Sequence, residues 1–201
     1  MFFLCNGHPG LFIHVPKTGG VAIKRAIRRY GKGAGNLSFV HSTVQQAAVH
    51  NPKRFKESYK FACVRNPWNY VVSYFLFISR QGTVPQEYRH ATFAEWFLDP
   101  NPIKNELQHM FSEPDLPLVW RPQFDFITDE AGNVAVDRIC TYENLHEDVT
   151  EVFNHFGVND IELSKENVAP SYDYRSYHTD ETIERVGNIF SREIAEFDYQ
   201  F

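Results

Sequence analysis

Apolar and polar positions along the chain alternate between short strand-like runs and longer stretches of helical spacing. Leu11, Phe12, Ile13 and Val15 form a run of strand type that Pro16 ends. After Thr18-Gly19-Gly20, the segment Val21, Ala22, Lys24, Arg25, Ala26 and Ile27 has the spacing of a helix. Gly31 to Asn36 breaks that helix, and Leu37 to Val40 predicts a second strand ending at His41. Ser42 or Thr43 is placed to cap a helix over Val44 to His50, which stops before Asn51-Pro52. Tyr59 to Val64 is apolar almost throughout, as the interior of a parallel sheet requires, and Pro67 opens a further helix over Trp68 to Ser79. Strands alternating with helices predict an α/β fold, a parallel sheet flanked by helices.

The texture changes between Arg80 and Pro122, where prolines interrupt short helical pieces such as Thr92 to Leu98 and Ile103 to Phe111. This 80–122 stretch is expected to be a helical insertion over the active-site end, where substrate selection is usually located. Phe124 to Thr128 and Val134 to Ile139 predict a hairpin about a Gly132-Asn133 turn. Asn144 to Phe156 is amphipathic and ends at Gly157, Ser164 to His178 has no period and reads as a loop, and Asp180 to Phe197 predicts the last helix. There is no internal repeat and no low-complexity tract.

Length and composition narrow the picture. A chain of 201 residues with 43% apolar content and 18 Phe suits one packed domain, 1–201, and excludes disorder. A formal charge of −5 gives no general attraction to nucleic acid or an anionic membrane, so any anion site has to be built locally. Cys5, Cys63 and Cys140 are widely spaced with no C-x-x-C pair, so a reducing compartment is expected rather than disulfides or zinc, with Cys63 and Cys140 as buried inert thiols in strand-like runs. No basic leader and no membrane-length apolar run precede or interrupt the pattern, which gives a cytoplasmic expectation.

The candidate chemistry begins at the first strand–turn–helix. Such a turn aims unpaired N–H groups and the positive end of a helix dipole at one point, Gly19 and Gly20 let an anion approach the backbone, and Lys17 adds a full charge. A phosphate or sulfate is the natural guest, whereas the bland reading is an ordinary connection with a solvated lysine. A second anion-suited strand end follows in C-V-R-N-P-W-N-Y-V-V-S, with Arg65 at the strand's exit and Ser73 eight residues on. Arg65 capping a neighbouring helix and Ser73 bonding its own helix are the plain alternatives. Two such ends along one edge of a parallel sheet fit the crevice where α/β proteins bind ligands.

With these residues in order, the chain resembles the sulfotransferases that use 3′-phosphoadenosine-5′-phosphosulfate (PAPS), in particular the carbohydrate-type family of heparan and chondroitin sulfotransferases and small bacterial relatives. FIHVPKTGG is similar to their 5′-phosphosulfate loop and FACVRNPWNYVVS to their 3′-phosphate motif. The likeness continues through DFITDEAGNVAVDRICTYENL and the tail YDYRSYHTDETIERV, and is weakest over 80–122. The resemblance implies a P-loop-like sheet with PAPS held by Lys17, Thr18, Gly19, Gly20, Val21, Ala22, Arg65, Ser73 and, in the tail, Arg175. It also implies adenosine 3′,5′-bisphosphate as product and a sulfate acceptor on a carbohydrate. Val21-Ala22 stand where the family carries hydroxyl residues, Asn69-Tyr70 where it carries Asp-Arg, and His178 where a second Tyr is common.

Sulfuryl transfer needs in-line attack, positive charge at the leaving phosphate and a base for the acceptor's proton. Lys17 is the expected catalytic cation and His41 the expected base. His14 is read as a core or supporting residue, Glu143 as a structural one, and His90 and His109 as acceptor-side binding residues. No Walker pattern or carboxylate cluster calls for a metal. Two other classes stay open, a P-loop-like kinase and a non-catalytic binder of adenosine 3′,5′-bisphosphate.

Overall fold

β1 (Phe2–Cys5), β2 (His8–Ile13), β3 (Lys32–Gly35), β4 (Tyr59–Val64) and β5 (Arg138–Thr141) make one sheet in the order β3-β1-β2-β4-β5. They come from a computed structural model that describes residues 1–35, 41–80, 92–98, 120–163 and 172–201. The chain divides into two compact units, Met1–Arg65 with Gln123–Ala169 and Asn66–Pro122 with Pro170–Phe201, and the whole sheet belongs to the first.

In the first unit β2, β4 and β5 are parallel neighbours, with Ile13 opposite Ala62 and Val64 opposite Thr141. The buried pattern Phe61, Ala62, Cys63, Val64 is what a strand covered on both faces requires. The sheet is mixed, not wholly parallel as expected, because β1 runs antiparallel to both β2 and β3. The apolar N-terminal run is a strand, folded onto β2 through Asn6 and Gly7, both at positive φ (49° and 85°) as a tight hairpin turn demands. Lys32–Gly35 also forms a strand where a break was predicted; the predicted strand 37–40 lies outside the described residues.

Helices α1 (Gly20–Tyr30), α2 (Val44–His50), α3 (Pro52–Glu57) and α6 (Leu145–His155) belong to the same unit. The buried stripe of α1, Ala22, Ile23, Ala26 and Ile27, recurs at helical spacing. Ile23, Ala26 and Ile27 join Phe3, Phe12, Phe61, Val152, Phe153 and Phe156 in one apolar core. Thr43 closes a capping box with Gln46, so α2 starts where a hydroxyl can accept from the free Gln46 amide of its first turn. Cys5, Cys63 and Cys140 are buried free thiols, and burial raises the pKa of each.

The predicted hairpin at 124–139 is replaced by something tighter. The Phe124 carbonyl accepts from both Ile127 and Thr128, winding Gln123–Phe126 into a single turn of 3₁₀-helix. Asp129 Oδ1 gathers the amides of Ala131 and Asn133 at 3.0 and 2.8 Å, so only the bridge Thr128–Val134 is left of the ladder. The chain then enters β5.

The second unit contains α4 (Pro67–Arg80), α5 (Phe93–Leu98), a short turn at Tyr174–Tyr177, α7 (Asp180–Ile189) and α8 (Ser191–Phe197). Asn66 Oδ1 receives the amides of Trp68 and Asn69 and so starts α4. The expected single last helix is two, because Phe190 leaves helical geometry (φ −108°, ψ 28°) and is fully buried beside Tyr70. Of the predicted 80–122 insertion, α5 and residues 120–122 are described; the Ile103 to Phe111 helix, His90 and His109 lie outside the described residues. Among the described residues no helix is long and apolar enough to cross a membrane.

The end of β5 is tied to α6 by Asp148, whose Oδ2 accepts from the Thr141 amide and hydroxyl at 2.6 and 2.9 Å while Oδ1 meets Arg138 at 3.1 Å. Asp148→Ala should therefore lower stability by about 1.5–3 kcal/mol in urea unfolding, the range for hydrogen bonds to a charged group. A loss under about 0.5 kcal/mol, the size of an ordinary surface substitution, would show that the carboxylate does not hold this corner.

Candidate active site

The parallel strands β2, β4 and β5 end at Ile13, Val64 and Thr141, and the residues just beyond are His14 to Gly20, Arg65 and Tyr142. All of these lie in the first unit. Tyr142 donates its amide to the Val64 carbonyl at 2.7 Å, which keeps the exits of β4 and β5 in register.

The turn between β2 and α1 has an unusual backbone. Lys17 sits at φ 60°, a region a lysine rarely occupies, and Gly19 at φ 83°. The Thr18 hydroxyl is fully buried and donates to the Val15 carbonyl at 2.9 Å, so this side chain closes the turn instead of facing outward. Gly19 carries no capping side chain, and α1 has no acidic residue in its first turn. The amides of Gly20, Val21 and Ala22 thus stand at the positive end of the α1 dipole with no side chain capping them. Val21 is 41% exposed and Ala22 buried, so at these two positions only backbone N–H groups are offered.

Packing explains both glycines. A Cβ on Gly19 would meet the Leu145 methyl at 2.7 Å, and one on Gly20 would fall inside the His14 ring. His14, buried one residue beyond β2, lies between the rings of Phe12 and His41, with centroids 5.6 and 4.3 Å away. It is the supporting residue the sequence suggested.

Arg65 is only 5% exposed. One guanidinium nitrogen donates to the Lys17 carbonyl at 3.1 Å, and the group lies 3.9 Å over the Tyr142 ring. Its own peptide is held at both ends by the Gln123 side chain: the Arg65 amide donates to Oε1 at 2.9 Å and Nε2 donates to the Arg65 carbonyl at 2.8 Å. Tyr142 and Gln123 were not picked out from sequence. For Gln123 no local signal exists, since its partner is 58 residues away.

His41 Nδ1 is 2.9 Å from the His14 carbonyl, a bond in which the ring must donate. In the neutral tautomer this puts the lone pair on Nε2. Burial pushes the His41 pKa down to about 4, opposed by the His14 carbonyl and reinforced by the positive charges of Lys24 and Lys17. The ordinary value near 6.5, expected of a strand-end histidine, does not hold.

Ser73 is half-buried on α4, and Arg175 is exposed in the Tyr174–Tyr177 turn with its guanidinium 4.7 Å over Tyr174. Both belong to the second unit. His178, in the same unit, bonds the Trp68 carbonyl and the Thr182 hydroxyl, and burial lowers its pKa.

The first unit is therefore an α/β scaffold with a glycine-containing strand–turn–helix at the carboxyl ends of its parallel strands. The model of the sulfotransferase family matches residues 1–200, and the chain belongs to that family, whose members move sulfuryl groups from a sulfate donor to an acceptor. No curated protein and no solved structure matches it.

Because unfolded His41 gains its proton near about 6.5 and the folded residue only near 4, the unfolded state binds more protons between these values. The His41 contribution should make stability fall as pH drops through that window. An NMR titration should place the His41 midpoint near 4 in the wild type. In Gly20→Ala, where the His14 ring has to move, the midpoint should rise toward the ordinary value. A wild-type midpoint near about 6.5 would contradict the packing of His41 on His14.

Proposed function

We propose that this sulfotransferase takes its sulfuryl group from PAPS and delivers it to a hydroxyl, on a carbohydrate, through one P-loop-like domain that spans the chain. The observation that carries the reading is the turn from Pro16 to Ala22. Its left-handed Lys17 and Gly19 lead into the first turn of an 11-residue helix that no side chain caps, and the missing Cβ atoms at Gly19 and Gly20 let Leu145 and His14 pack against the turn and hold it.

In this reading the amides from Thr18 to Ala22 bind the 5′-phosphosulfate and Lys17 neutralises charge growing on the bridging oxygen. Arg65, in the same unit, serves the 3′-phosphate. His41 accepts the acceptor hydroxyl's proton at Nε2 as the new O–S bond forms, the S–O bond to phosphate breaks, and adenosine 3′,5′-bisphosphate leaves. The 80–122 insertion, with His90 and His109, selects the acceptor.

A pKa of about 4 makes His41 a weak base in the free protein, but one that is neutral over the whole physiological range. Negative charge brought in by the donor offsets the fields of Lys17 and Lys24 and raises the basicity of the ring. Val21-Ala22 favour a second reading, a protein that holds adenosine 3′,5′-bisphosphate without turnover, and PAPS turnover separates the two.

Lys17→Ala should cut turnover by about 10²-fold or more, the size of one lost donor to a developing charge, with a smaller effect on product affinity. Equal losses in both would make Lys17 a binding residue only. Since kcat/KM reports the free enzyme, its acidic limb should lie near pH 4 while that of kcat lies higher, and His41→Gln should lose transfer and both limbs. Transfer by His41→Gln at the wild-type rate would move the base elsewhere. Activity should persist in excess EDTA; complete and reversible loss there would favour the kinase-like chemistry instead.

A further inference from the structure

We propose that Gln123 is a positioning residue for sulfuryl transfer, gripping the Arg65 peptide so that the guanidinium fixes the left-handed backbone of Lys17. The proposal rests on the reading of the Lys17 turn as the donor site.

Arg65 is the first residue past the end of β4, at the point where the neighbouring parallel strands have also ended. Its peptide is buried, and a buried amide and carbonyl both need partners. Gln123, fully buried, supplies both from one planar group, at 2.9 and 2.8 Å, as a neighbouring strand would. The two-point grip fixes the direction in which the Arg65 side chain leaves the sheet. That side chain then spans the Tyr142 ring at 3.9 Å and reaches the Lys17 carbonyl at 3.1 Å.

Lys17 needs such a hold. At φ 60° its backbone is strained, and strained residues persist only where their surroundings over-determine them. In the orientation that this backbone gives it, the Lys17 carbonyl accepts from Arg65. Gln123, Arg65 and Lys17 thereby form a relay from residue 123 to the ammonium that the donor would meet. Only glutamine fits the first link. Methionine has the length but neither polar atom, and glutamate at neutral pH sets a carboxylate against the Arg65 carbonyl.

A residue that merely caps β4 would stabilise the strand and leave the turn alone, so the decisive readout is the turn itself. Backbone ¹⁵N relaxation on ligand-free full-length wild type, Gln123→Met, Gln123→Glu, Arg65→Ala and Gln123→Met/Arg65→Ala makes the distinction. The wild-type order parameters at residues 17–20 should be close to about 0.85 and fall below about 0.6 in each single variant, while the interiors of β2 and β4 stay rigid. The double variant should be no more mobile than Arg65→Ala, because both substitutions break one chain of contacts. Turnover of PAPS by Gln123→Glu, or by Gln123→Met if the glutamate variant does not fold, should fall about 10–100-fold, as expected when a catalytic group is displaced by an ångström or less.

An unchanged turn in the Gln123 variants, or effects of Gln123 and Arg65 that add, would overturn the relay. So would a turn already mobile in the wild type. Wild-type protein that fails to turn over PAPS would refute the proposed donor chemistry, and the relaxation result would still decide the coupling.

Discussion

One hydrogen bond, from the Arg65 guanidinium to the Lys17 carbonyl, holds together the features on which the site depends. A chain that leaves a parallel strand and enters a helix at once must reverse over a few residues, and here it does so with Lys17 and Gly19 in left-handed geometry. The cost at Lys17 is of order 1–3 kcal/mol, too large for a solvated turn to sustain without support. Arg65 supplies that support from the end of β4, Thr18 closes the turn internally, and no side chain caps the first amides of α1.

Local charge, not global charge, sets the chemistry. With a net charge of −5 the protein repels anions at long range, so the anion site we propose would draw on Lys17, Arg65 and the α1 terminus at short range. Burial first, and then the positive charges of Lys24 and Lys17, keep His41 uncharged down to about pH 4. A neutral imidazole with Nδ1 committed to the His14 carbonyl can act only through Nε2. The family is one in which sulfuryl groups are moved, and these are properties that such a transfer can use.

Much of this was legible in the sequence, for definite physical reasons. Tyr59–Val64 and Val44–His50 were found with the bounds they have, because a buried parallel strand and a Thr43-capped helix leave strong local patterns. The N-terminal hairpin was missed although Asn6-Gly7 is a strong hairpin signal, its brevity having masked it. The 124–139 hairpin failed because Asp129 collects the turn's amides and Phe124 starts a 3₁₀ turn, both competing with the ladder. At the site, Lys17, the glycines and Arg65 announced themselves by residue type. Tyr142 and Gln123 did not, since an aromatic under a guanidinium and an amide against a distant peptide are tertiary facts.

The central claim, that the Lys17 turn and Arg65 form the site of a 3′-phosphorylated adenine nucleotide donor, is tested most directly by calorimetric titration of the wild-type protein. The ligands are adenosine 3′,5′-bisphosphate, adenosine 5′-monophosphate and magnesium ATP. The bisphosphate should bind at least about tenfold more tightly than either of the others, as expected for one added charge-assisted phosphate contact worth about 1.5–3 kcal/mol. Equal affinity for the mono- and bisphosphate, or tighter binding of magnesium ATP, would contradict it.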